Sequence, residues 1–156
     1  MKSTLLTVIL SLTIGISFAQ NFTELSRYEF QDEESYKSEE KNVLLCADFL
    51  LNNPADQALG NRHTSVQYIL KWMTGTPDYT FDLDNRVMEL TKGNDDLLAL
   101  YMAAMTKVVL ENSGPDLTAE QIYKSSENLL VAYCANGDNR MKPSRKIKKL
   151  LKAEKR

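Results

Sequence analysis

The sequence predicts an all-α protein: a compact bundle of five to six helices around one buried helix at about residues 95–112. Three observations carry that expectation. The run Leu97–Leu110, LLALYMAAMTKVVL, is broken only by Thr106 and Lys107, and a helix apolar on every side must be covered by its neighbours. Apolar residues recur every three or four positions in several other segments, and no persuasive strand run occurs. Start and stop signals fall at the ends of these segments. Consecutive helices pairing as hairpins would also suit a helical-hairpin stack, a variant the pattern leaves open.

Residues 1–19 have the build of an export signal: Lys2, then an apolar stretch from Leu5 to Ile16, then Ser17-Phe18-Ala19 as a small-x-small cleavage site. The apolar stretch falls short of the roughly 20 residues of a membrane span. Position 20 is Gln rather than the cysteine of a lipoprotein. Cleavage near Ala19 would leave 137 of the 156 residues, exported to the periplasm or the cell exterior and enough for one core. Residues 20–34 read as a polar, acidic leader with scattered aromatics, loosely held or docked on the bundle, and residues 35–156 as a single helical domain.

The first helix is expected over Ser35–Asn52, with Tyr36, Val43, Ala47 and Leu50 on one face, and Asn53-Pro54 ends it. A second runs to Thr74, its face drawn as Arg62, Val66, Ile69, Leu70 and Met73, with Gly75 closing it in the left-handed conformation. Tyr79-Thr80-Phe81 is a short extended connector to a small helix from Asp82 or Asp84 to Lys92. Asn94 caps the central helix, with Asp95 and Asp96 in its first turn, and Gly114-Pro115 stops it. Thr118 and Gln121 form a capping box for the next, whose stripe is Ile122, Leu129, Leu130, Tyr133 and Cys134. Pro143 sits in the first turn of a basic last helix, 143–155, with Ile147, Leu150 and Leu151 as its apolar edge.

Charge is divided unevenly. Gln20–Asn139 holds nine basic and 20 acidic residues, whereas Arg140–Arg156 holds nine basic and one acidic. Arg145, Lys146, Lys148, Lys149 and Lys152 therefore face water, or the leader acids Glu33, Glu34, Glu39 and Glu40, or make weak contact with an anionic surface. Nucleic acid is not an expected partner for an exported chain.

Catalytic signals are sparse. His63 is the only histidine, no HExxH motif, GxSxG elbow or phosphate loop occurs, and no metal or cofactor is expected. Asp82-x-Asp84 opens like a calcium loop, but Arg86 stands where a third ligand belongs. Cys46 and Cys134 lie in apolar helical segments. They are either a disulfide pair or two separate buried thiols, and spacing does not decide between them.

The segment Trp72–Tyr79 is the candidate binding site, through Trp72, Thr76, Asp78 and Tyr79: the only Trp, a Thr-Pro turn, an acid and a Tyr beside a helix end. Its competing reading is a turn whose aromatics pack on the central helix. Asn42–Leu51, Lys71–Phe81 and Thr91–Asn112 resemble an uncharacterised family of small exported helical proteins of environmental bacteria. The resemblance implies export and a single helical domain, and brings no activity or site residue. The expected function is a non-enzymatic binding module taking an unknown protein or small ligand. The alternative is a hydrolase of wall or extracellular polymer using paired carboxylates among Asp78, Asp82, Asp84 and Glu89.

Overall fold

The computed structural model describes residues 22–112 and 117–154. The predicted export signal and the Gly114-Pro115 stop lie outside them. Eight α-helices and one 3-10 turn occur among the described residues, with no strand. They are α1 (residues 22–27), α2 (Glu33–Ser38), α3 (Glu40–Asn52), α4 (Leu59–Gly75), α5 (Asn85–Thr91), α6 (Asp95–Glu111), α7 (Ala119–Ala135) and α8 (Arg145–Glu154), with the turn at Gly137–Asn139. The all-α expectation holds, with more and shorter helices than foreseen.

Helix α6 is the rod at the centre. It packs against α3, α4, α5 and α7, and ten of its residues are buried, Leu97, Tyr101, Ala104 and Val108 covering all sides. Covering one helix with four others makes a bundle, not a stack whose units touch only their neighbours in sequence. Asn94 caps α6 by accepting from the Asp96 N–H at 3.1 Å. Gly93, at φ +80°, makes the reversal from α5 that a side chain would resist.

The leader is a docked strap. Phe22 and Leu25 are buried, and Phe22 packs on Phe49 with ring centres 4.8 Å apart. Phe30 stacks on Tyr36 and leans on Tyr68, and the Trp72 indole N–H donates to the Tyr36 carbonyl at 3.0 Å. The expected Ser35–Asn52 helix is divided at Glu39 into α2 and α3, and Asp32 with Ser35 forms a capping box that starts α2 earlier. Burying Phe22 and Leu25 contributes about 1.5–3 kcal/mol each, enough to order a segment whose acids alone suggest solvent.

Two further expectations are corrected. Helix α4 turns Ser65, Tyr68, Ile69 and Trp72 inward, while Leu70 is exposed. The buried stripe follows the large aromatic residues, one column round from the face drawn through Leu70 and Met73. Gly75 is the last helical residue rather than a left-handed closer, and Thr76 leaves in extended conformation. The glycine is needed because Tyr36 lies where its Cβ would be.

At the other end of the core, the Arg62 guanidinium donates to the carbonyls of Leu50, Asn53 and Pro54, a cation at the open end of α3. Helix α8 begins at Arg145, not Pro143, with the Ser144 hydroxyl accepting from the Ile147 N–H at 3.1 Å. Ile147 is fully buried and Leu150 and Leu151 pack at the core edge, against α5 and α7.

Candidate functional site

A groove of about 460 Å³ opens where the connector between α4 and α5 passes α6 and the start of α7. Its position follows from local structure. Asp84 caps α5, accepting from the Arg86 and Val87 N–H groups, and Thr118 with Gln121 caps α7. The connector between is extended, held by Tyr79 and Phe81, which pack on Trp72 at 5.5 and 5.7 Å between ring centres. It cannot close over the face of α6 that carries Tyr101, Met105 and Val109, which form the floor. Ile122 and Leu117 continue this apolar surface on the α7 side.

Polar groups are distributed unevenly round that floor. Asp78, Thr80 and Asp82 border it from the connector, and Asp78 and Asp82 are exposed and in no ion pair among the described residues. Arg86 is fully engaged: its Nε donates to Asp84 at 2.7 Å, another nitrogen donates to Glu120, and its guanidinium lies 4.2 Å above the Tyr123 ring centre. That contact holds the Asp84 carboxyl below its usual range. Tyr101 is 1% exposed, and its ring centre lies 6.3 Å from that of Tyr123. Burial pushes the Tyr101 and Tyr123 phenols up, the latter to about 12, so both stay protonated at neutral pH. On the outer side of the connector, burial and the nearby Asp78 charge raise the Glu40 carboxyl.

Of the residues singled out in the sequence, Asp78 and Tyr79 line this groove. Trp72 is completely buried beneath Tyr79, and Thr76 is half-buried outside the lining. Asp78, Asp82 and Asp84 share the cavity, whereas Glu89 points elsewhere and pairs with Lys92. Sequence reasoning missed Tyr101, Arg86 and Tyr123. The legible signal was Tyr101 itself, a phenol inside an otherwise greasy run.

Cys46 and Cys134 are free, buried thiols, which corrects the disulfide reading. Burial pushes Cys46 up to about 12, with Ser65 opposing, and Cys134 up to about 11. Little reactive thiolate is present at neutral pH. His63 is exposed on α4, away from the groove. Arg145, Lys146, Lys148, Lys149 and Lys152 are exposed. They make no ion pair among the described residues, with the leader acids or any others, so of the two alternatives they face water rather than the leader. Glu39 instead accepts from Tyr68 and Asn42.

No group of three His, Cys, Asp or Glu among the described residues is gathered as a metal site, and none of the described helices is long and apolar enough to cross a membrane. The class these observations define is a helical bundle with an amphipathic groove beside its central rod. Comparison with protein-family models, with curated proteins and with solved structures finds no match to the chain in any of the three.

Proposed function

We propose that the protein is a non-enzymatic binding module, exported after cleavage near Ala19, whose groove takes a small ligand. The observation that carries the reading is the groove itself. Its volume lies within the range of small-molecule sites, and an apolar floor with few polar groups is how such sites are built. Export rests on Lys2, the apolar run and Ser17-Phe18-Ala19.

Nile red, a neutral apolar dye, tests the groove. It should brighten with the purified chain, and a groove-filling Val109→Trp variant that stays folded should abolish the gain. Equal brightening with both proteins would remove the groove as the binding site.

Two further readings have their own support. The α8 cations stand opposite the buried Ile147, suited to weak contact with an anionic surface. Salt-sensitive sedimentation with anionic vesicles, lost when Lys146, Lys148, Lys149 and Lys152 become Gln, would support it; binding unchanged in that variant would end it. The hydrolase alternative draws on Asp78, Asp82 and Asp84 sharing one cleft. It requires release of sugars from wall polymer that Asp82→Asn stops; no release by the parent protein ends it.

A further inference from the structure

We propose that the outer face of α4 pairs with the same face of a second copy of this chain, the two helices running antiparallel.

Helix α4 is apolar on two sides. Ser65, Tyr68, Ile69 and Trp72 face the core, where the helix packs on α3 and α6. On the other side Leu59, His63, Val66, Leu70 and Met73 follow one another at alternating steps of four and three residues. That is the spacing by which one helix seats against another along a narrow seam. Leu59 and Leu70 are 67% and 45% exposed, two of the four large apolar side chains left outside among the described residues. Val66 and Met73 are half-buried at the core edge, so the seam continues the core surface outward.

Charge indicates what covers the seam. Helix α4 carries no acid, and both of its permanent cations are engaged within the chain. Arg62 donates to the carbonyls of Leu50, Asn53 and Pro54, and Lys71 pairs with Glu29 at 2.8 Å. The flanking positions, whose charges select partners in helix pairs, hold Gly60, Gln67 and Thr74 on one side. A Cβ at Gly60 would meet nothing within 4 Å, so a second backbone can come close there. Elsewhere the body is acidic, with 20 acids against nine bases in Gln20–Asn139, and like charge holds two copies apart. A strip without carboxylate or free Lys or Arg is where a second copy meets least repulsion. A partner with a charged face would find no counter-charge on it.

The register follows from the two most exposed leucines. Antiparallel pairing that sets Leu59 of one copy on Leu70 of the other forms two such layers by symmetry, with His63 on Val66 twice between them. A polar residue at a seam position weakens a helix pair while fixing its register. Each copy contributes one 17-residue helix, about 25 Å long at about 1.5 Å per residue. The contact therefore belongs with small, transient interfaces, below about 1,200 Å². No α4 residue lines the groove, so both grooves stay open in the pair.

Sedimentation equilibrium of the purified chain over a range of loading concentrations tests the pairing. It should show a reversible monomer–dimer equilibrium with a dissociation constant of about 10–100 µM, as suits a contact of that size. Leu70→Glu should weaken pairing about a hundredfold, since it removes one anchor from each of the two layers. Leu59→Lys together with Leu70→Glu should recover most of the affinity, because antiparallel pairing brings the opposite charges together. Parallel pairing would set like charge on like. His63→Leu should tighten the dimer about tenfold. All three positions are exposed, so each variant should keep the circular dichroism of the parent. Monomer mass at every concentration overturns the inference, and so does association that Leu70→Glu leaves intact. Loss in the single variant with no recovery in the double overturns the antiparallel register.

Discussion

Gly75 shows how much one missing side chain can matter. The Tyr36 phenol occupies the space where a Cβ would stand, and that ring is pinned by its stack with Phe30. Gly75→Ala improves helix propensity by about 1 kcal/mol, but it must push the strap away from α4, at an overpacking cost of about 1–3 kcal/mol. The net expectation is a lower thermal midpoint with loss of the near-ultraviolet signal of the strap aromatics; an unchanged or higher midpoint would mean Tyr36 moves freely. Glu127 contributes to the pH dependence of stability. Burial would raise its carboxyl, but hydrogen bonds from Lys124 at 2.8 Å and Tyr123 at 2.9 Å outweigh burial and hold it below 4.5. A lowered carboxyl gives stability above its unfolded pKa and loses it as pH falls through the folded one. Glu127→Gln should therefore cost about 1 kcal/mol at pH 7 and progressively less as pH falls through the acid range, as read from urea unfolding. A cost that does not fall with pH would assign the loss to packing. Trp72 illustrates what a sequence hides at this scale. Its rarity and its neighbours Thr76, Asp78 and Tyr79 suit a surface, yet its ring is fully buried and its N–H is spent on Tyr36, a carbonyl 36 positions away that no local pattern reveals.

Among the elements, α6 was legible because its composition admits only one environment, and caps at Asn94 and Thr118 behave as their side chains dictate. The strap was legible only as one of two alternatives, because Phe22, Tyr28, Phe30 and Tyr36 follow no single period and find a common destination only on α3 and α4. A chain beginning at Asp32 should therefore be less stable than one beginning at Gln20, by about 3–6 kcal/mol if Phe22 and Leu25 carry most of the effect. Equal urea midpoints would show that the strap only rests on the bundle. Helix α8 separates two roles on opposite faces. Ile147→Ala should cost about 2–5 kcal/mol as a buried truncation, whereas changing Lys148 and Lys149 to Gln should leave the urea midpoint in place, because neither makes an ion pair among the described residues.

For the molecule as a whole, the groove arises because the extended connector, tied to Trp72, and the capped start of α7 meet α6 without covering it. That coincidence of three elements is tertiary, so the sequence could offer Asp78 and Tyr79 but not their meeting with Tyr101. The free thiols make a whole-molecule prediction as well. Cys46 and Cys134 should resist a thiol reagent in the native protein and both react in denaturant without reductant; a chain that yields no thiol on unfolding would be disulfide-bonded. The most direct test of the binding account is a methyl NMR titration of the full chain with Nile red. The account predicts saturable shifts confined to Met105, Val109, Leu117 and Ile122, with Ile147 on α8 unmoved. Shifts centred on Ile147 and Leu150, or none at saturating dye, would contradict it.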